Sequence, residues 1–465
     1  MSDKKLRVLT AYDEKLIEEI PFNGPGDIEL ALSTARSLAD EPSKRIPVPQ
    51  RIEILERTMS KVQKKYDEIV NTAAMEGGKP LIDSRAEVTR AINGIKVAIE
   101  HIGNLTGTEI PMNMNPASLN RIAYSFREPI GVCVAICAFN HPFNLAIHQV
   151  IPAVAVGCPV IIKPALTTPL STINLLNCLY ESGLEMQWAQ LIIADNENAE
   201  KLATDPRVDY LTFIGSSRVG WYLRSKISPG TRCALEHGGA APVIVEADAD
   251  IEDALPLLAK GGLYHAGQVC VSVQRVFAHR SIATDIAKGL KELSEKMKVG
   301  DPTKEDTDIG PLILPKEVER VHGWVQEAVS SGGQIICGGS KIGNTCYEPT
   351  IIVDPPQDVK LSRSEIFGPV MAVYSYDDRD EAIKRANGLP LSFQASVFTK
   401  NIDVALDTVK KINAAAVMVN DHTAFRVDWM PFRGAKESGI GTGGIPYTMH
   451  EMTNEKLMVI KSPVL

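Results

Sequence analysis

"IGVCVAICAFNHPFNLAIHQVIPAVAVGCPVIIKPA", residues 130–165, lies in the most apolar region of the chain, and how it is read decides the fold. Asn140, His141, Asn144, His148 and Gln149, together with several prolines and glycines, break it too often for a membrane span. It reads instead as strand, helix, strand. The same texture continues through "WAQLIIA", "DYLTFIG", "RCALE" and "APVIVE", with helical stretches between. Strands alternating with helices of about ten to fifteen residues imply right-handed βαβ units and a parallel, doubly wound sheet. After about residue 245 a second α/β series follows, with strands near "SVQRVFAH", "PVMAVYSY", "FQASVFT" and "AAVMVN".

The rest of the chain fits around these two sheets. With 465 residues it is too long for one core and implies two or three domains. Its 44% hydrophobic and 23% charged residues and net charge of −8 argue against disorder and against a nucleic-acid partner. Charges interrupt the N-terminal "MSDKKLRVLTAYDEKL" before a signal-peptide core can form, so no secretion is expected. Eight scattered cysteines have neither zinc-ligand spacing nor disulfide-scaffold density, which excludes a metal site of that kind and fits a reducing cytoplasm. Residues 48–107 carry apolar spacings of three and four between charges, the pattern of surface helices forming a packing layer. "RIAYSFREP" and the C-terminal "EKLMVIKSPVL" alternate like strands without helix partners; they pair with each other or with another subunit.

Four stretches could carry chemistry. In "FNHPFN", Asn140 stands at a strand's carboxyl end, where doubly wound sheets bind ligands. Its neutral amide could hold an oxyanion, or simply make a turn before Pro142. In "FIGSSRVG", Gly215 and Gly220 flank a strand-to-helix turn whose amides suit a pyrophosphate, though such glycines also serve packing. The spacing lacks G-x-G-x-x-G and GK[ST], so ATP chemistry is disfavoured. "LEHGGAAP" ends a strand at Glu236, a general base if burial raises its pKa, or else a capping residue. In "YHAGQVCVSV", Cys270 could be an inert packing thiol. As a nucleophile it would need a lowered pKa or a nearby base; Gly267 would leave room beside it, and its own N–H would complete an oxyanion pocket with Asn140.

Taken together and in this order, the four stretches resemble the aldehyde dehydrogenase superfamily from about residue 8 to the C-terminus. "KPA" at 163–165, "EIFGPV" at 365–370 and "PFRGAKESGIG" at 431–441 add to the likeness. The resemblance implies an α/β, aldehyde dehydrogenase-like fold. A Rossmann-type cofactor domain would cover 1–110 and 130–238, a second α/β catalytic domain 239–440, and small β oligomerisation elements 111–129 and 441–465. It also implies oxidation of an aldehyde through a Cys270 thiohemiacetal, with Asn140 stabilising the oxyanion, and a thioester hydrolysed with Glu236 as base. NAD or NADP would be held by Phe139, Lys163, Gly215, Ser216, Gly220, Glu365 and Phe367, in a homodimer or homotetramer.

Three residues beyond Lys163, many NAD-preferring relatives carry a glutamate that accepts the ribose hydroxyls. Leu166 stands here, so NADP is expected to be accepted. Arg433 replaces the first glycine of a usual "PFGG", and "TGG" at 442–444 departs from a glycine-acid-glycine pattern, so C-terminal packing or pocket shape is expected to differ. "HPFNLAIHQVIPA" and "NDHTAFRVDWMPF" are similar to the lactaldehyde and non-phosphorylating glyceraldehyde-phosphate branch, which points to a small polar aldehyde, anionic ones included. His148, His422, Thr423 and Arg426 are the candidates for gripping its tail, and an Arg426–Asp428 ion pair is the competing use of that arginine. Val269 stands where some phosphate-handling relatives have arginine, which disfavours a phosphorylated substrate. A CoA-acylating enzyme and a catalytically silent member of the fold are the alternatives.

Overall fold

Five parallel strands, Cys133–Ile136, Val160–Lys163, Ala189–Leu191, Tyr210–Ile214 and Arg232–Glu236, form the first sheet of the computed structural model, which describes residues 5–465. Their order in space is fifth, fourth, first, second, third, and Gly439–Ile440 adds an antiparallel strand beside Arg232–Glu236. The chain therefore reverses direction across the sheet between Cys133–Ile136 and Tyr210–Ile214. That topological switch point is where such sheets open a ligand crevice, and the loops leaving these two strands carry Asn140 and Gly215.

The helices used below are α1 (Pro25–Asp40), α2 (Val48–Lys64), α3 (Tyr66–Gly77), α4 (Leu81–His101), α5 (Pro142–Val156), α6 (Pro169–Glu181), α7 (Asn196–Thr204), α8 (Ser217–Arg224) and α9 (Ile251–Leu263). Every residue of α5 is buried, as its all-round apolar sequence requires. Pro142 starts it, where the missing N–H costs nothing, and Gly157 ends it with a left-handed φ of 88°. One core joins α2 to α6. The helices of residues 48–107 are thus more than a surface layer, since α4 turns Ser84 and Glu87 inward along with its apolar residues.

The second sheet has seven strands in the order Gln334–Cys337, Thr350–Val353, Val370–Tyr376, Val273–His279, Ala241–Val245, Gln394–Phe398 and Ala416–Val419. All its pairs are parallel except the first. Ala241–Val245, grouped by sequence texture with the first series, lies near the centre of this sheet. It follows a hairpin-length glycine turn after Glu236, and apolar texture cannot tell one sheet from the other. The third sheet pairs Arg121–Pro129 with Thr453–Lys461 in one unbroken antiparallel register, with Glu109–Ile110 on its other side. The two partnerless strands pair with each other. Residues 439–451 do not divide at 440: Gly439–Ile440 joins the first sheet, and helix Ile445–Glu451 packs on α4 and α5.

Candidate active site

A cleft of about 1340 Å³ opens at the switch point. Phe139, Asn140, Lys163, Leu166, Gly215, Ser216, Glu236, Cys270, Glu365, Phe367 and Arg426 all line it, so one cavity collects the thiol, the amide and the carboxylate. Gly220 is buried off the cleft, its α-carbon against the His237 ring, where any side chain would collide. Its glycine is a packing requirement.

Cys270 ends a turn held by strain and by buried amides. His265, Ala266 and Gly267 have φ values of 49°, 53° and 67°, three successive left-handed residues of which only one is glycine. Such backbone persists only where its surroundings over-determine it. Here Gln268, almost fully buried, donates to His265 O and Pro311 O and accepts from Ile313 N at 2.9 Å. Gly267 makes no room beside the thiol; a β-carbon there would strike the carbonyl of Gly368. The Asn140 Nδ2 amide donates to Gln268 O at 2.9 Å, which fixes the carboxamide beside the nucleophile and leaves its second hydrogen for a ligand.

The cleft does not lower the thiol pKa. Burial, then the Glu365 carboxylate, push Cys270 up to about 12, with Arg426 pulling the other way. The expected activation is therefore missing from the protein alone. Alkylation of Cys270 in the cofactor-free protein should accelerate by about tenfold per pH unit between pH 7 and 10, because only the thiolate reacts. Peptide mapping after timed alkylation reads this, and a plateau below pH 9 would contradict it.

Burial raises the pKa of Glu236, the direction a general base needs. Its carboxylate lies against Gly443, so the glycine that breaks the expected acidic pattern makes space for this side chain. Glu365 rests on the glycines that follow Glu236: its carboxylate occupies the space of a Gly238 side chain, accepts from Gly239 N–H, and is pushed up to about 8 by burial. Phe367, at φ 49°, stands edge-on to Phe139 with ring centroids 5.7 Å apart.

Arg426 and Asp428 do not form the ion pair that was the competing use of this arginine. Asp428 accepts two hydrogen bonds from Arg90 of α4, at 2.7 and 3.2 Å, and one from His148 Nε2 at 2.8 Å. His148 is held neutral, its pKa pushed down to about 4 by burial and by Arg426. With Nε2–H given to Asp428, its Nδ1 accepts from Arg426 Nη2 at 3.4 Å. Arg426 also lies 3.5 Å from the Phe432 ring centroid and has no carboxylate partner among the described residues. It is thus a cation facing the cleft that no carboxylate touches, with Glu236 and Asp428 acting on it only at a distance. His148 supports it from behind, while His422 and Thr423 lie off the cleft; the Thr423 hydroxyl donates to Val271 O at 2.6 Å. The residues that the motifs missed here are Arg90 and Asp428 as partners, set 338 positions apart in the chain.

A large cleft at the switch point of a doubly wound sheet, reaching toward a second parallel sheet and lined by a thiol, a carboxamide and a carboxylate, defines a ligand site equipped for covalent catalysis. The chain belongs to the aldehyde dehydrogenase family, whose model matches residues 1–458. It is 37% identical to a 3-sulfolactaldehyde dehydrogenase of Priestia aryabhattai, over 98% of this chain and 95% of that one. It is 33% identical to a lactaldehyde dehydrogenase of Methanococcus vannielii, over 98% and 97%. The solved structure of glyceraldehyde-3-phosphate dehydrogenase GapN from Methanocaldococcus jannaschii, complexed with NADP, superposes with a TM-score of 0.94 at 31% identity, covering 99% of this chain and 100% of that one. The protein is an aldehyde dehydrogenase that uses NAD or NADP.

Proposed function

We propose that the enzyme oxidises a small aldehyde bearing an anionic tail to its carboxylate, through a thioester on Cys270. The observation that carries the tail is Arg426, an unpaired guanidinium in the same cleft as the thiol; an interior cation without a partner is costly, and a substrate anion removes that cost. The names of the sulfolactaldehyde and glyceraldehyde-phosphate relatives agree with an anion there.

In this reading the Cys270 thiol gives up its proton to solvent, the thiolate attacks the aldehyde carbon, and the carbonyl oxygen becomes an oxyanion held by Asn140 Nδ2–H and the Cys270 N–H. Bound NAD(P)+ supplies the hydride acceptor and a positive ring charge. Lys163 and Ser216 would hold its adenosine ribose and phosphates, Glu365 its second ribose, and Phe367 and Phe139 would contact its nicotinamide end. Once the hydride has left, Glu236 takes a proton from water, the hydroxide attacks the acyl carbon, and the C–S bond breaks to release the acid and the thiolate. Glu236 also argues against CoA as the acyl acceptor. Replacing Arg426 by Met should raise KM for an anionic aldehyde about thirtyfold or more and leave an uncharged aldehyde of equal length within threefold, as loss of a charged hydrogen bond of about 2 kcal/mol or more implies. Equal effects on both aldehydes would remove the tail reading.

NADP acceptance rests on Leu166 and on Arg218, an exposed cation at the same cleft without a carboxylate partner among the described residues. Glu200, the acid nearby in the cleft lining, is engaged by the Tyr222 hydroxyl at 2.9 Å. Arg218→Gln should lower kcat/KM for NADP by about tenfold while sparing NAD, the scale of one charged hydrogen bond. A wild-type preference for NAD above a hundredfold would overturn this.

The third sheet exposes Tyr124, Phe126, Leu457, Met458, Val459 and Ile460. An open edge at Ala416–Val419 and exposed Ile402, Leu406 and Val409 on the helix beside it offer a matching apolar surface. A homodimer or a larger even oligomer covers both. The eight free thiols fit a reducing, cytoplasmic setting, and no helix among the described residues is long and apolar enough to cross a membrane.

A further inference from the structure

Lys79, Asp83, Glu87, His141 and His265 form a polar cluster behind Asn140 and Cys270 that the reaction above does not use. Three residues of α4 stand at i, i+4 and i+7, and so on one face: Asp83, Glu87 and Arg90. Each holds a different part of the cleft. Asp83 accepts the His265 N–H at 2.9 Å, at the first of the three left-handed residues before the nucleophile. Glu87 accepts the N–H groups of Phe143 and Asn144, each at 2.9 Å, in the first turn of α5 just after Asn140. Its other oxygen pairs with the fully buried Lys79, which also contacts His141 Nδ1 at 2.6 Å. Arg90 holds Asp428, and through it the chain by way of His148 to Arg426. Gly94, on the same face one turn further on, lets α5 approach; a side chain there would press on Ile147.

We propose that this face of α4 sets the geometry of the reaction, with Asp83, Glu87 and Arg90 as positioning residues for the nucleophile turn, the oxyanion amide and the tail grip respectively. Two backbone segments and one side-chain relay, far apart in sequence, are referred to one rigid rod. A shift of about 1 Å in one of them is enough to cost about 10²-fold in rate. The Arg90 part rests on the anionic-tail reading; the Asp83 and Glu87 parts do not.

The test compares Asp83→Ala, Asp83→Asn and Arg90→Met in the full-length enzyme, by stopped-flow bursts of reduced cofactor and by Cys270 alkylation at fixed pH. Asn keeps an oxygen to accept the His265 N–H, so Asp83→Asn should stay within about threefold of wild type. Asp83→Ala should lose about 10²-fold in burst rate constant and in alkylation rate, with KM for the cofactor within twofold. Should the alanine variant fail to fold, Asp83→Ser, whose shorter side chain cannot reach, takes its place. Arg90→Met should instead raise KM for the anionic aldehyde at least tenfold and leave the burst at saturation within threefold. A general structural role would move all parameters together and would make Asp83→Asn as damaging as Asp83→Ala; either result, or an Asp83→Ala enzyme within twofold of wild type, overturns the proposal. If Arg426→Met leaves the anionic KM unchanged while the Asp83 variants behave as stated, the tail reading fails and positioning by α4 stands on the nucleophile turn.

Discussion

Glu236→Gln should release reduced cofactor in a burst near one per site and then turn over about 10²- to 10⁴-fold more slowly than wild type, the range that a positioned general base contributes. The amide fills the same space against Gly443 but cannot accept a proton from water, so the acyl group stays on Cys270. The burst itself needs no base at 236, and its rate constant should be nearly unchanged. Because burial raises the pKa of Glu236, wild-type deacylation should fall as pH drops through that raised value, where the carboxylate becomes protonated. This acid limb should vanish in the variant. Rapid mixing at several pH values, with mass spectrometry of the trapped acyl-enzyme, reads all three effects. Undiminished steady turnover, or acyl-CoA formed when CoA is added, would place the enzyme in the acylating class.

For Asn140→Ala the loss should fall on the other half of the cycle. Removing one oxyanion donor costs about 10²- to 10³-fold, or about 2.7–4 kcal/mol of transition-state stabilisation. Here the same amide also donates to Gln268 O, so alanine leaves a buried carbonyl unpaired beside the nucleophile. That adds a stability loss of about 1–3 kcal/mol, visible as a lowered Tm. The burst rate constant should drop with kcat, whereas Glu236→Gln leaves it alone. An Asn140→Ala enzyme with a normal burst would remove the amide from the chemistry.

The parallel strands of both sheets could be read from the sequence because a strand buried on both faces must be almost wholly apolar, and the turns after it carry the polar residues. Asn140 sits in such a turn, Glu236 closes a strand, and Cys270 lies in the turn that leads into one, which is why short motifs marked them. What could not be read depended on partners far along the chain. Gly267 is required by a carbonyl at residue 368, and Gly220 by a histidine ring at 237. Whether Arg426 faces a ligand or takes its neighbour Asp428 stayed open in the sequence, and the fold decides it, because Arg90 approaches from α4 and claims that carboxylate with two hydrogen bonds. The charges at 83, 87 and 90 have the spacing of a solvated helix face, and only the packing of α4 against α5 turns that face inward. The raised pKa of Cys270 likewise follows first from burial in the folded cleft and then from Glu365, nearly a hundred residues away.

The zipper between Thr453–Lys461 and Arg121–Pro129 joins two segments more than 300 residues apart in the chain. Gly439–Ile440 closes the edge of the first sheet with an equally late segment. A nascent chain therefore carries two unfinished strand edges until residues 439–440 and 453–461 have left the ribosome. Such edges recruit other chains, and pairings this distant form slowly. A premature stop between residues 271 and 453 should leave a product that chaperones and proteases remove, even though Cys270, Asn140 and Glu236 have all been synthesised.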